Sequence, residues 1–341
     1  MNMDIENKRI RIADIADELG LSTATVSNVI HGKTKKISDE TVKRIQELLE
    51  EKGYIPNMAG ILLAQNNSRI VGVVINNHEK YEKHVLEDAF VSSSLNALSE
   101  ELNKAGYFMM VKVTDKWQET VKIASMWNMD GLVLIGFCEQ DYKKLRESMH
   151  IPFVVYDGYF QDTGRICNLV IDNYGGGYQV GAYLKEMGHR KALCVADNDI
   201  CMDRERVEGC RAGMTGCQVD FWQMPMAMKE RRIFFQERFP QVREYTAIFA
   251  VSDFYAMEWI YFLQSKGVGV PSDISVIGFD DSPWCGKIYP PLTSVRQDSA
   301  GRAKQAISIL QEMKKGIYDT TMVKFPVQLV KRGSVKEMKL S

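Results

Sequence analysis

From residue 70 onward, short apolar runs rich in β-forming residues alternate with stretches of helical pattern, and no other feature limits the possible fold as strongly. The runs are IVGVVI, YFMMVKV, GLVLIG, FVVYD, KALCVAD, AIFAVSD and ISVIGFDD. Such alternation is typical of parallel sheets covered by helices on both faces. The number of predicted strands is larger than one small sheet usually contains. We therefore expect an α/β body of two lobes. Ligands bind outside the carboxyl ends of strands in such folds, which makes the strand-ending polar residues candidates: Asn76, Asp157, Asp253 and Asp280.

Residues 1–55 have a different pattern, which predicts three short helices. Gly20 ends the first helix, and Ser22 and Ser38 are placed to cap the second and third. The apolar positions of the three helices are Ile12, Ile15, Ala16 and Leu19, then Val26, Val29 and Ile30, then Val42, Ile45, Leu48 and Leu49. The tight LGLS link between the first two helices is typical of a helix-turn-helix.

The outer face of the second helix carries short polar side chains. Such a face lets the helix backbone approach base edges in the major groove of DNA. Thr25 and Ser27 suit phosphates, whereas Thr23, Ala24 and Asn28 suit bases. The alternative interpretation is an ordinary three-helix fragment with a polar surface, and the net charge of -1 does not itself indicate a polyanionic partner.

The residues that decide between these interpretations are IADELGLSTATVSNVIHG and ISDETVKRIQELLEEKGYIPN. This stretch resembles the N-terminal module of the LacI/GalR family of bacterial transcription regulators almost position for position. The resemblance implies binding to double-stranded operator DNA and adds further DNA-binding candidates: Ser22, His31, Lys35, Lys36, Tyr54 and Asn57. Lys35 and Lys36 are expected at phosphates, with a merely solvated loop as the alternative. Two residues depart from the family pattern: Arg11 replaces a common Thr, and Asn28 replaces a frequent Arg. Asn28 favours adenine, whereas an Arg would favour guanine.

Residues 56–69 resemble the family's hinge, a linker that folds into a helix on operator DNA. There, leucines from the two subunits of a dimer enter the minor groove and bend the duplex. Leu63 is the expected wedge. Gly60 and Ile61 depart from the family pattern and should make the helix harder to order. The alternative is that the apolar run packs on the next domain.

Residues 70–335 resemble the family's effector domain, which is related to type I periplasmic sugar-binding proteins, and residues 336–341 form a tail. The matching pieces include VIDNYGGGYQVGAYLKEMGHRKA, RVEGCRAGM and PPLTSVRQD. The resemblance implies that the chain crosses between lobes near residues 168, 295 and 325. The Gly-rich piece does not match a phosphate-binding loop, and it is expected to open a helix capped by Asp172 or Asn173.

The resemblance also implies an effector pocket between the lobes. Arg206 is expected to hold ligand hydroxyls or a carboxylate, and Asp280 to accept hydrogen bonds from hydroxyls. Second-rank neighbours are Asp157, Ser252, Asp253 and Gln297, together with the strand-ending Asn76, and Trp222 is the expected stacking surface. The aspartates could instead cap helices or pair with cations between lobes. A sugar is the preferred effector, although NNHEKYEKHV replaces the family's aromatic segment after the first strand.

Other classes of protein are disfavoured. We find no run of apolar residues long enough for a membrane span and no signal peptide, which favours the cytoplasm. The 7 cysteines lack metal-ligand spacing and are expected to be reduced thiols, mostly buried. No catalytic constellation, metal site or cofactor motif is recognisable, so an enzyme is not expected.

We therefore expect a three-helix helix-turn-helix module followed by a two-lobed effector domain, acting as a homodimeric, ligand-responsive repressor. Two alternatives remain open from the sequence. One is a solute-binding or sensory protein with weakened DNA binding, and the other is a sugar or nucleoside enzyme on the same two-lobed fold.

Overall fold

The structure is a computed structural model that describes residues 10–30, 32–54, 68–137, 139–149, 151–158, 166–319 and 322–338. The expected hinge lies almost entirely outside these ranges, as do the candidate residues His31, Asn57 and Leu63. The chain divides into two compact units, Met1–Asn67 and Ser68–Ser341.

The first unit contains the three helices that the sequence predicts. They span Ile12–Leu19, Thr23–Ile30 and Asp39–Glu51. Gly20 ends the first helix in a left-handed conformation with φ 67°, which favours glycine because it has no side chain. Ser22 Oγ accepts the Thr25 N–H at 3.1 Å, and Ser38 Oγ accepts the Thr41 N–H at 3.3 Å. Local capping chemistry therefore fixes where these helices begin and end.

A small apolar core holds the three helices together. Its buried members are Ile15, Ala16, Val26, Val29, Ile45 and Leu48. Every helix contributes to it, and an ion pair of 3.0 Å between Lys52 Nζ and Glu18 Oε2 joins the third helix to the first. The core is small, so the unit gains limited stability from burying apolar surface.

The second unit holds two six-stranded sheets, which define lobe 1 and lobe 2. The lobe 1 sheet runs in the order β11 (Met322–Phe325), β5 (Ile166–Ile171), β4 (Phe153–Tyr156), β3 (Gly131–Ile135), β1 (Ile70–Ile75) and β2 (Phe108–Val113). The lobe 2 sheet runs in the order β12 (Gln328–Val330), β10 (Thr293–Arg296), β9 (Ser275–Asp280), β8 (Ala247–Ala250), β6 (Lys191–Ala196) and β7 (Gln218–Gln223). All strand pairs are parallel except β10 with β12.

Helices cover both faces of each sheet, as parallel strands buried on both sides require. In lobe 1 the pairs are Ala89–Lys104 with Ser299–Lys314 on one face and Trp117–Met126 with Glu139–Ser148 on the other. In lobe 2 they are Asn173–Glu186 with Cys201–Gly213 and Met228–Val242 with Asp253–Ser265. The two-lobed α/β fold predicted from the sequence is confirmed.

Three connections join the lobes. The chain leaves the lobe 1 sheet after β5, returns after β10, and passes to lobe 2 again between β11 and β12. The segment after β1, residues 76–88, contains two short 3-10 turns, Glu79–Tyr81 and Val85–Glu87. This segment lies at the carboxyl end of the lobe 1 sheet, where the fold places its ligand cleft.

The Gly-rich stretch that opens the helix Asn173–Glu186 has a packing role. Asp172 caps this helix by accepting the Gly175 N–H at 3.2 Å. Gly177 and Gly181 face the backbone of the neighbouring helix Cys201–Gly213 so closely that a side chain at either position would overlap it. The glycines thus bring two helices together, in agreement with the helix-opening interpretation.

Four of the described cysteines are buried free thiols: Cys167, Cys194, Cys210 and Cys285. In the part of the chain that the structure describes, no group of His, Cys, Asp or Glu side chains is arranged to hold a metal ion. None of the helices in the described ranges is long and apolar enough to cross a membrane.

Candidate functional site

The outer face of the helix Thr23–Ile30 carries short, mostly polar side chains. Ser22, Thr23, Ala24 and Asn28 are exposed, whereas Val26 and Val29 face the core. Small side chains on the outer face keep the backbone near the molecular surface, and the Asn28 amide can both donate and accept hydrogen bonds. This surface can read base edges in a groove.

Around this surface, the other described candidates are half-buried or exposed. Thr25 and Ser27 are half-buried, and the Thr25 hydroxyl lies 2.8 Å from Ser22 Oγ. Lys35 and Lys36 are exposed in the turn before the third helix, where their ammonium groups are available to phosphates. Tyr54 is half-buried, and its N–H donates to the Leu49 carbonyl at 2.8 Å.

In the second unit, the expected cleft residue Arg206 is held firmly in place. Its Nε donates to Asn173 Oδ1 at 2.8 Å, and its Nη1 donates to the Val251 carbonyl at 2.6 Å. The guanidinium lies 3.7 Å from the centre of the Phe279 ring. The side chain is buried, with 4% of its surface exposed. Two hydrogen bonds and a stacked ring therefore fix the direction of the remaining nitrogen, Nη2.

Asp280 and Gln297 form a second polar group of the cleft. Gln297 Nε2 donates to Asp280 Oδ1 at 2.6 Å, and Gln297 Oε1 has no partner among the described residues. Burial raises the pKa of Asp280 well above its ordinary value, and the Arg206 guanidinium partly offsets this increase. The pair thus places an amide oxygen without a partner among the described residues beside a buried carboxyl group.

Asn76 lies at the end of β1 and is half-buried. Its Nδ2 donates to the Gly136 carbonyl at 2.8 Å, and His78 Nε2 lies 2.9 Å from the same oxygen. These contacts join the segment after β1 to the loop after β3. Asn76 therefore lies at the expected sheet edge, and its amide nitrogen already donates a hydrogen bond to the protein.

The contacts of Asp253 favour a structural role over the expected contact with a ligand. Asp253 Oδ2 accepts the Ser282 N–H at 2.7 Å, and Asp253 Oδ1 accepts the Ser294 hydroxyl at 2.5 Å. The Cys285 thiol donates to Oδ2 at 3.0 Å. The carboxylate is buried and fully used in tying three segments of lobe 2 together. Ser252 is the N-cap of the same helix and accepts the Tyr255 N–H at 3.4 Å.

Asp157 and Trp222 also make contacts within the protein. Asp157 Oδ2 forms a buried ion pair of 2.7 Å with Arg302 Nη2, so its charge is neutralised within lobe 1. Trp222 packs edge to face on Phe234 and Tyr245, and Arg238 lies over its ring at 5.4 Å. The Trp222 ring is half-buried and packs against the core beneath the helix Met228–Val242, which favours a structural role over stacking on a ligand.

The structure adds a contact between lobes that the sequence did not single out. Lys80 Nζ of lobe 1 lies 3.8 Å from Asp197 Oδ2 of lobe 2, and the Tyr255 hydroxyl donates to the same oxygen at 2.6 Å. Beside it, the Tyr81 ring meets the Phe254 ring edge to face at 6.2 Å. Tyr81 lies in the segment that lacks the family's aromatic pattern. Asp197 ends the predicted strand KALCVAD, and its position as a strand-ending polar residue could have marked it as a candidate.

Several carboxyl groups near Lys80 are buried. Burial raises the pKa of Asp203 to about 6 and raises the pKa of Asp88. Burial also opposes ionisation of Asp197, but the Lys80 ammonium, the Tyr255 hydroxyl and the Asn198 amide together lower its pKa. Asn198 Nδ2 donates to both Asp197 Oδ1 at 2.6 Å and Asp203 Oδ2 at 2.7 Å. Burial and neighbouring polar groups therefore shift the pKa values of these carboxyl groups in opposite directions.

Comparison with known protein families matches both units. Residues 11–57 match the family of bacterial regulatory proteins called lacI, and residues 182–335 match the periplasmic binding protein-like domain. Curated relatives include the HTH-type transcriptional repressor PurR of Vibrio atlanticus (strain LGP32), which is 26% identical over 349 residues, 96% of this chain and 99% of the relative. PurR of Actinobacillus pleuropneumoniae serotype 3 (strain JL03) is 28% identical over 347 residues, 96% of this chain and 98% of the relative.

Similar solved structures share the fold over most of the chain. The lac repressor dimer bound to operator and the anti-inducer ONPF has a TM-score of 0.81 at 22% identity, covering 96% of this chain and 100% of that one. The complex of the transcriptional regulator CelR with cellobiose has a TM-score of 0.69 at 21% identity, with the same coverage of 96% and 100%. Both similarities extend through the two units described above.

Proposed function

The chain belongs to the LacI/GalR family of bacterial transcription regulators, and from this premise we propose that it is an operator-binding repressor controlled by a small polyhydroxylated effector, preferably a sugar. The observation that carries the proposal is the exposed polar face of the helix Thr23–Ile30 in a three-helix unit. The relatives are transcriptional repressors, and the chain is a regulator of the same kind and not an enzyme.

The recognition helix reads the operator through few side chains. Asn28 pairs its amide with an adenine edge in the major groove, and Thr23 and Ala24 contact neighbouring bases. Thr25 and Ser27 approach phosphates, which fix the orientation of the helix without reading sequence. Lys35 and Lys36 supply the salt-dependent part of the affinity, because each phosphate they neutralise releases counterions.

Further DNA contacts come from positions carried over from the family pattern. Ser22 and His31 flank the recognition helix, and Tyr54 and Asn57 follow the third helix. Leu63 enters the minor groove at the centre of the operator and helps to bend it. His31, Asn57 and Leu63 lie outside the described residues.

Two copies of the chain bind one operator. A single three-helix unit buries too little surface and contacts too few phosphates for useful specificity, whereas a dimer reads two half-sites. Operator DNA is in the cytoplasm, and we propose that the protein acts there as a homodimer.

The effector binds between Arg206 and the pair of Asp280 and Gln297. Arg206 Nη2 donates to an effector hydroxyl, and Asp280 and Gln297 Oε1 accept from others. The support is the geometry of these side chains, since Arg206 is fixed by two hydrogen bonds and Gln297 Oε1 is buried without a partner among the described residues.

Effector and operator are coupled through the lobes. An effector that contacts both lobes shifts the population toward one angle between them. The altered angle moves the lobes that carry the hinge and the DNA-binding unit, so that operator affinity changes. The coupling is reciprocal, because operator DNA must change effector affinity by the same factor.

An unbiased selection of duplexes by the full chain at moderate salt tests the DNA-binding part of this proposal. We expect a two-fold symmetric site. Selection of no duplex by folded protein would contradict the proposal and favour a solute-binding or sensory protein. A thermal-shift panel of sugars, nucleosides and purines tests the effector, since a ligand that binds only the native state raises the melting temperature. Turnover of a bound compound would instead favour an enzyme.

A further inference from the structure

Two cations near the contact between the lobes are already paired with carboxylates of this chain. Lys80 pairs with Asp197 between the lobes at 3.8 Å, and its side chain is 22% exposed. Arg302 pairs with Asp157 at 2.7 Å at the end of β4. An anion entering the cleft would have to compete with these carboxylates for each positive charge.

Arg206 is also partly occupied. Nε and Nη1 donate to protein oxygens, and its charge lies near the carboxyl groups of Asp203 and Asp280. A single guanidinium nitrogen is therefore directed at the effector. One N–H direction suits a hydroxyl oxygen, whereas two-point binding of a carboxylate or phosphate needs a free fork of two nitrogens.

The acceptors of the cleft, in contrast, have capacity left. Gln297 is 9% exposed, and its buried Oε1 has no hydrogen-bond partner among the described residues. Asp280 receives the Gln297 amide on Oδ1, which leaves Oδ2 for a ligand donor. A buried acceptor without a partner carries an energetic cost that a ligand O–H or N–H removes.

Resting on the proposed function, we propose that the effector is an uncharged molecule rich in hydrogen-bond donors, and that the Lys80–Asp197 pair makes the cleft reject phosphorylated or carboxylated forms of it. Donors of the effector complete the hydrogen bonding of Asp280 and Gln297. Lys80 and Arg302 offer the anionic form no unpaired charge, and Arg206 offers it a single nitrogen, so the anion loses its hydration with little return. The Lys80–Asp197 ion pair thus determines specificity against anionic ligands, because Asp197 keeps the Lys80 charge from binding them.

Matched pairs of probes test the ligand class with the full chain: D-ribose against D-ribose 5-phosphate, D-glucose against D-glucose 6-phosphate, and guanosine against guanosine 5′-monophosphate. Affinities come from the concentration dependence of the melting temperature. We expect an uncharged member of at least one pair to bind, and to bind at least about tenfold more tightly than its phosphate. Stronger binding of a phosphate, or a thermal shift from none of the uncharged members, would overturn the inference.

The variant Asp197→Asn tests the role of the ion pair. An Asn side chain can still accept the Tyr255 hydroxyl, but the Lys80 charge is left without its carboxylate. We expect the tenfold discrimination against the phosphate to shrink to about threefold or less, because Lys80 becomes available to the anion. Unchanged discrimination in a folded variant would remove the pair from specificity. Lys80→Met provides a second variant, in which discrimination should increase.

A matched control is available on the surface of lobe 2. Lys191 pairs with Glu244 at 3.0 Å and lies over the Tyr245 ring at 4.8 Å, so it combines a lysine, a carboxylate and a tyrosine much as Lys80 does. Glu244→Gln should leave discrimination unchanged. The duplex selection contains no effector, so failure of the proposed function and failure of this inference are told apart by separate measurements.

Discussion

Gly177 lies so close to the backbone carbonyl of Arg206 that a side chain at position 177 would overlap it. The contact joins the helix Asn173–Glu186 to the helix Cys201–Gly213 and sets where Arg206 emerges toward the cleft. Arg206 Nε in turn donates to Asn173 Oδ1, at the start of the first of these helices. The direction of the Arg206 guanidinium thus depends on Gly177 having no side chain.

We expect Gly177→Ala to move the two helices apart and to lower the free energy of unfolding by about 1–3 kcal/mol, as overpacking of a core does. Effector affinity should fall with it, while the selected operator site stays the same. Urea unfolding and effector titration measure the two effects. Gly286→Ala is the control, since no atom lies within 4 Å of a side chain built there. Equal behaviour of the two variants would contradict the packing argument.

Arg206→Ala should abolish the response of operator binding to the effector while leaving operator affinity in its absence unchanged. The reason is that Arg206 supplies the fixed donor of the cleft and lies far along the chain from the DNA-binding unit. Arg204→Ala on the same helix is a suitable control, because Arg204 is exposed and forms a surface ion pair with Asp199. Fluorescence anisotropy with labelled operator measures the response, and a normally responding Arg206→Ala variant would remove Arg206 from the pocket.

Much of the fold could be predicted because its signals are local. Ser22 and Ser38 cap helices within three residues of themselves, and Gly20 ends a helix through its own backbone conformation. The strands follow from apolar runs that must be buried on both faces. Such features depend on neighbours in the chain, so the printed sequence contains them.

The cleft was predicted less well because its contacts join distant segments. Asp253 ends a strand as a ligand-binding aspartate would, yet its partners Ser282 and Ser294 come from later parts of the chain. Trp222 was placed by residue type, but the strand directs it under a helix. Lys80 and Asp197 meet only because the two lobes face each other, and no spacing in the sequence encodes that distance.

The buried carboxyl of Asp203 predicts a dependence of stability on pH. Its pKa rises from the ordinary value of 3.8 to about 6 in the folded chain, mainly through burial. The folded state therefore binds more protons than the unfolded state between these values, so the free energy of unfolding falls as pH rises from about 4 to about 6 and levels off above.

The variant Asp203→Asn isolates this effect, because its amide oxygen can still accept the Asn198 N–H. We expect a higher free energy of unfolding than wild type above about pH 7 and a shallower decline between about pH 4 and 6. Urea unfolding at a series of pH values measures both. Asp115→Asn, which changes an exposed carboxyl, serves as the control. An unchanged slope in Asp203→Asn would show that another group causes the decline.

Asn28→Arg should change which base is preferred at one position of each half-site. The guanidinium favours guanine where the amide favours adenine, with about 1–3 kcal/mol of discrimination per good bidentate contact. Lys35→Ala provides the contrast, since loss of a phosphate contact weakens binding to all sequences and reduces the salt dependence by about one counterion. Duplex selection followed by salt titration separates the two. An identical selected site in Asn28→Arg would mean that position 28 does not read bases.

Asp253 and Asp280 lie at the ends of neighbouring structural elements of lobe 2, but their different contacts predict opposite effects of the same substitution. Asp253 accepts three donors, so Asp253→Asn directs an amide N–H at one of them and should lower the free energy of unfolding by about 1–3 kcal/mol. Asp280→Asn removes a buried carboxyl that receives a single amide from the protein, so stability should be kept or increased while effector affinity falls. Urea unfolding and effector titration of both variants decide the matter. Loss of affinity without loss of stability in Asp253→Asn would return Asp253 to the ligand site.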